Sequence, residues 1–144
     1  MMKNIYIYLA YAGLAPFIFC ALCLVAGVEV LPLMGETKGV LSSYSLVILS
    51  FMVGSYWGQY LKLDDKQKLF FPIFSNVNAV VMWMVYLTIP FKPMIFLFLL
   101  NFLLLLLIDK KLFDGGAIDP EYYRMRVQVT IGVVVTLFVS FSFA

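Results

Sequence analysis

Residues 5–28 read IYIYLAYAGLAPFIFCALCLVAGV, an unbroken apolar run between Lys3 and Glu29. About 20 apolar residues in a helix cross the hydrocarbon core of a bilayer, so a run of this length without charge reads as a transmembrane helix. It is too long for the apolar core of a secretory signal, and no small-x-small cleavage site follows it. Pro16 lies inside the run and predicts a kink, because proline lacks the N–H that the helix ladder needs.

Working outward, comparable segments recur at residues 40–61, 69–89, 94–108 and 124–144. Residues 29–39 between the first two form a loop with Pro32, Gly35, Glu36 and Lys38. KLDDKQK at 62–68 is a short charged loop. Pro90-Phe91-Lys92-Pro93 reads as a tight turn, since neither proline favours continued helix. The 94–108 segment is slightly short, so Lys92 is expected to snorkel and the helix to borrow flanking residues. The longest loop is 109–123, with Gly115-Gly116 and Pro120. The expected fold is all-α: one integral membrane domain over residues 1–144, a polytopic bundle of five transmembrane helices. Short connections make its second, third and fourth helices sequential antiparallel neighbours.

Composition supports the same class. Of 144 residues, 64% are hydrophobic and 12% charged, and mean hydropathy is +1.01. Soluble domains run near ~45–50% apolar and ~25% charged, and a chain this small has too little interior to hide the excess. A soluble globular enzyme is therefore excluded. The 14 Phe, 9 Tyr and 2 Trp exclude disorder. Histidine is absent, which removes the imidazole base and the commonest metal ligand. Cys20 and Cys23 lie inside the first span without further ligands, so they read as packing cysteines and no metal is expected. A net charge of +2 is too small to point to nucleic acid. No cofactor is implied.

Charge sets an expected orientation. Lys3, Lys62, Lys66, Lys68, Lys110, Lys111, Arg124 and Arg126 share one side, and Lys38 and Lys92 the other. Short loops enriched in Lys and Arg stay cytoplasmic. The N-terminus is thus expected inside and the C-terminus outside, with a bacterial inner (cytoplasmic) membrane as the location.

Small residues recur every four positions: Ser50, Gly54 and Gly58 in the second span, and Gln128, Gly132, Thr136 and Ser140 in the fifth. Such stripes let another backbone approach, within the bundle or in a homodimer. No Lys, Arg, Asp or Glu falls centrally in a span, which argues against proton pumps and ion-coupled carriers. Asp109 and Glu29 are expected at span ends, within reach of water. Ser75, Asn76 and Asn78 in the third span and Asn101 in the fourth must find partners in hydrocarbon; Asn76 and Asn101 are expected to face other helices, as interhelical ties or as the lining of a path. Trp57-Gly58-Gln59 brings an indole, a glycine and an amide together at the end of the second-span stripe.

Several segments have a familiar look. These are Tyr11-Ala12-Gly13-Leu14-Ala15-Pro16-Phe17; the run from Tyr44 to Phe51 continuing through Gly54 to Trp57-Gly58; Asp109 after the Leu-rich span; and Pro120-Glu121-Tyr122-Tyr123 with Arg126 and Thr130. Together, over nearly the whole chain, they resemble the membrane family called domain of unknown function 3429, the transmembrane protein 69-like membrane proteins. The resemblance implies a multi-span bacterial inner-membrane or mitochondrial protein and carries no assigned reaction. In that pattern a His precedes the Trp-Gly pair. Tyr56 stands there in this chain, so an imidazole-based role does not carry over. Tyr122 likewise replaces an expected Trp.

On the expected topology the family positions fall on the cytoplasmic half. The candidate binding residues there are Trp57, Gln59, Asn76, Asn101, Asp109, Tyr123 and Arg126. Arg126 could pair with Asp109 and clasp the last loop onto the bundle, or bind a phosphate headgroup. The leading functional reading is a non-catalytic partner or assembly subunit of a membrane complex. The alternative is a lipid- or quinone-binding or small transport protein with a pocket lined by Trp57, Asn76, Asn101 and Arg126. An intramembrane enzyme would need a nucleophile or base, and Asp109, Tyr56 and the serines show no activating partner in sequence.

Overall fold

The computed structural model describes residues 5–56 and 63–144. Its element order is α1 (Ile5–Ala12), α2 (Ala15–Val25), β1 (Val30–Leu31), β2 (Gly35–Glu36), α3 (Thr37–Gly54), α4 (Asp65–Thr88), α5 (Phe91–Asp114) and α6 (Pro120–Phe143). Five stretches, with α1 and α2 counted as one, are long and apolar enough to cross a membrane. The outward faces are apolar: Leu22, Ile73, Leu107 and Phe138 are each about 60% exposed (63%, 58%, 61% and 61%). That is the surface of a protein solvated by lipid.

The first span is divided rather than bent. Pro16 sits in the first turn of α2, where its missing N–H costs nothing, and the chain turns at Gly13 and Leu14 between α1 and α2. The Tyr44 hydroxyl donates to the Gly13 carbonyl at 2.8 Å and holds the turn against α3.

The expected loop at 29–39 is partly ordered. β1 and β2 pair antiparallel, Val30 with Glu36 and Leu31 with Gly35. Leu33 at the tip takes a left-handed conformation, φ 66°, which is uncommon outside glycine and asparagine. Thr37 is fully buried; its hydroxyl donates to the Val28 carbonyl at 2.8 Å and its amide to Glu29 at 2.9 Å. These bonds start α3 at Thr37, three residues before the apolar run at 40.

Helices α4, α5 and α6 all exceed their apolar runs, and each has a local cause. Asp64 caps α4 reciprocally: it accepts from the Gln67 amide at 2.8 Å while the Gln67 side chain accepts from the Asp64 amide at 3.1 Å. Pro72 is carried inside α4. Pro90 caps α5 and Pro93 falls in its first turn, so the Pro-Phe-Lys-Pro segment begins a helix instead of forming a free turn. The far end of α5 runs on to a glycine cap. Gly116 takes φ +79°, its amide bonds Phe113 at 3.0 Å, and the Ala117 amide bonds Leu112 at 2.8 Å. Pro120 then opens α6. The expected long loop at 109–123 shrinks to residues 115–119.

Packing departs from sequential neighbours. α5 lies chiefly against α6 and α3, and α2 against α3 and α6, while α4 rests on α3 and barely touches α5. The buried face of α5 is already covered by α3 and α6, so α4 is peripheral. Phe17, Phe98, Phe102, Leu105 and Leu137 are 0–1% exposed at the centre, with the Phe17 ring edge-on to Tyr44 at 5.0 Å and to Phe102 at 6.0 Å. Cys20 is buried among them and Cys23 half-buried, both as free thiols.

Candidate functional site

One end of the bundle gathers its buried charge. Asp109 shares a helical face of α5 with Phe102, Leu105 and Leu112, all buried, so its position follows from the 3.6-residue period. Arg126 occupies the corresponding face of α6, beside Met125 and Val129. The short 115–119 connection folds α6 back antiparallel to α5 and sets the two side chains opposite each other. Arg126 Nε donates to Asp109 Oδ2 at 2.7 Å, with Asp109 1% and Arg126 7% exposed. The Asp109–Arg126 clasp is therefore present. Asp109 is not at a water-reached span end as expected, because α5 continues past it to Asp114 and buries it.

Tyr56, 2% exposed, completes the cluster. Its hydroxyl donates to the Leu105 carbonyl at 3.1 Å and lies within bonding reach of the Asp109 carboxylate. Tyr122 lies one turn before Arg126 on α6 and is half-buried. Tyr123 stacks on Phe113, ring centres 4.7 Å apart and planes 4° from parallel. Thr130, one turn beyond Arg126, is 1% exposed, and its hydroxyl has no hydrogen-bond partner among the described residues.

Arg126 also lines a half-open cleft of about 340 Å³ between α1, α3 and α6. Leu9, Ala10 and Gly13 form one wall, Ile48, Phe51, Met52 and Ser55 a second, and Tyr122, Met125, Arg126, Val129 and Val133 a third, with Phe17 at the base. The polar groups Ser55, Tyr122 and Arg126 gather at the end nearest the α5–α6 connection. The rest is apolar.

The other expected site residues fall elsewhere. Asn101 does not join Arg126; it pairs with Asn78 on the α4 side. Asn76 is exposed and, among the described residues, bonds back to the Pro72 carbonyl of its own helix, at 2.9 Å, so the expectation that it faces another helix is corrected. The helical stripe Phe71, Ser75, Asn78, Met82 carries the buried positions of α4, and Asn76 lies off it. Trp57, Gly58 and Gln59 lie outside the described residues. Ser50 and Gly54 are exposed, and a Cβ added at Gly54 would meet nothing within 4 Å, so among the described residues Gly54 makes no close contact inside the bundle. Gly132 does meet a neighbour: a Cβ there would stand 3.0 Å from Leu14 Cδ1. Thr136 is half-buried and donates to the Val133 carbonyl at 2.8 Å. Gln128 is exposed and accepts from the Tyr11 hydroxyl, tying α1 to α6.

Tyr56 and the cleft were not singled out from sequence as parts of one site. Tyr56 was legible as a family position, but nothing in the chain signalled that it would lie beside Asp109. The family model described as protein of unknown function, DUF3429, matches residues 2–142. No curated protein and no solved structure matches the chain.

Proposed function

We propose that this chain, which belongs to the DUF3429 family, is a non-catalytic integral membrane protein that holds a membrane amphiphile, a lipid or a quinone. The carrying observation is the cleft itself: apolar walls for a chain, and Arg126, already positioned by Asp109, at one end for a head. Ligand sites are typically concave and apolar with a few placed polar groups. The eight-to-two distribution of Lys and Arg supports an orientation with the polar end of the cleft on the inner side of the membrane. Mass spectrometry of protein purified in mild detergent tests the reading. Wild type should carry an amphiphile at about one per chain, and Ala10→Phe, which fills the cleft, should lose it. Equal amounts in both would sink the proposal.

A second reading, an assembly subunit or homodimer, is favoured by the outward Ser50–Gly54 face of α3, where small side chains permit close approach of another helix. A stoichiometric protein partner, or self-crosslinking of Gly54→Cys, would support it.

A further inference from the structure

The charges at the polar end of the cleft constrain the head that it accepts. We infer that the occupant has an uncharged head bearing a carbonyl acceptor, as in a diacylglycerol or a quinone, rather than an anionic phosphate; this rests on the cleft being a binding site. The positive charge of Arg126 is opposed at 2.7 Å by Asp109.

An anion at Arg126 would therefore meet a charge already countered by Asp109. It would also approach the Asp109 carboxylate in a water-poor interior, where like charges repel far more strongly than in water. It would lose its hydration as well. A neutral carbonyl avoids both costs. Guanidinium carries five N–H donors, and the bond to Asp109 uses Nε. Among the described residues no other bond from Arg126 is formed, so its terminal amino groups retain donors for a carbonyl oxygen at the polar end of the cleft. The apolar walls run from Ser55 back to Ile48 on α3, roughly 10 Å at 1.5 Å per residue, which suits the upper part of one hydrocarbon chain.

Native mass spectrometry of the full chain in a neutral maltoside detergent decides the matter. It compares dioctanoylglycerol and a decyl-substituted benzoquinone with dioctanoyl phosphatidylglycerol. At least one neutral probe should bind about tenfold or more tighter than the anionic one, and the tighter of the two neutral probes identifies the source of the carbonyl. Asp109→Asn uncovers the charge of Arg126 and should shift the preference about tenfold or more toward phosphatidylglycerol. Asp109→Asn together with Arg126→Gln removes both charges and should restore the neutral preference. Equal or tighter binding of phosphatidylglycerol to wild type overturns the inference and leaves the binding site standing. No binding of any probe, with Ala10→Phe indistinguishable from wild type, overturns the site itself. The wild-type comparison decides even where a charge variant does not fold.

Discussion

Asn78 and Asn101 bind each other twice. Asn101 Nδ2 donates to Asn78 Oδ1 at 2.7 Å, and Asn78 Nδ2 donates back at 3.3 Å. An amide in hydrocarbon finds no water, so each side chain answers the other's need. This reciprocal bond is also the main specific tie between α4 and α5, which otherwise scarcely meet.

Replacing one partner strands the other. Asn78→Leu or Asn101→Leu should lower stability by about 1 kcal/mol, read as thermal unfolding in detergent. The double Leu variant should be more stable than either single one, because it buries no unpaired amide. Additive losses would contradict the reciprocal bond.

The Asp109–Arg126 pair predicts stronger coupling. Removing one member of a buried pair typically costs ~3–5 kcal/mol, because it leaves an uncompensated charge. Asp109→Asn and Arg126→Gln should each destabilise strongly. Their combination should cost less than the sum, with a coupling above about 0.5 kcal/mol in a double-mutant cycle. Strict additivity would mean that the two side chains act separately.

Two glycines of similar sequence context should respond oppositely to enlargement. Gly132→Leu drives into Leu14 and should cost ~1–3 kcal/mol by overpacking. Gly54→Leu meets open space and should leave the thermal midpoint of the isolated chain unchanged. A loss for Gly54→Leu confined to a dimer would instead identify that face as an interface between copies.

Orientation is checked by reporter fusions. Fusions at Lys66 and Gly115 should report a cytoplasmic position and one at Gly35 an external one, from the charge bias of the connections. An external signal at Lys66 would reverse the arrangement.

Span number and apolar segments were readable because lipid demands long uncharged helices, a signal that needs no tertiary knowledge. Helix ends were less readable. The runs stop at Ile108 and begin again at Arg124, but the glycine cap at Gly116 and Pro120 at the start of α6 carry the helices well past charged residues. That extension turned Asp109 from an expected solvated end into a buried partner. Asn78 was within reach of sequence reasoning, since it lies on the stripe of Phe71, Ser75 and Met82 whereas Asn76 does not. The cleft was not, because it depends on how α1, α3 and α6 meet.

The cleft occupies one half of the bundle's depth. It ends near Val133 on α6 and Ile48 on α3, and Leu41, Ile95, Phe98 and Leu137 lie fully buried in the interior. An occupant would therefore enter sideways from a single monolayer and leave by the same route. On the proposed reading, such a site suits the sampling or retention of molecules of one leaflet.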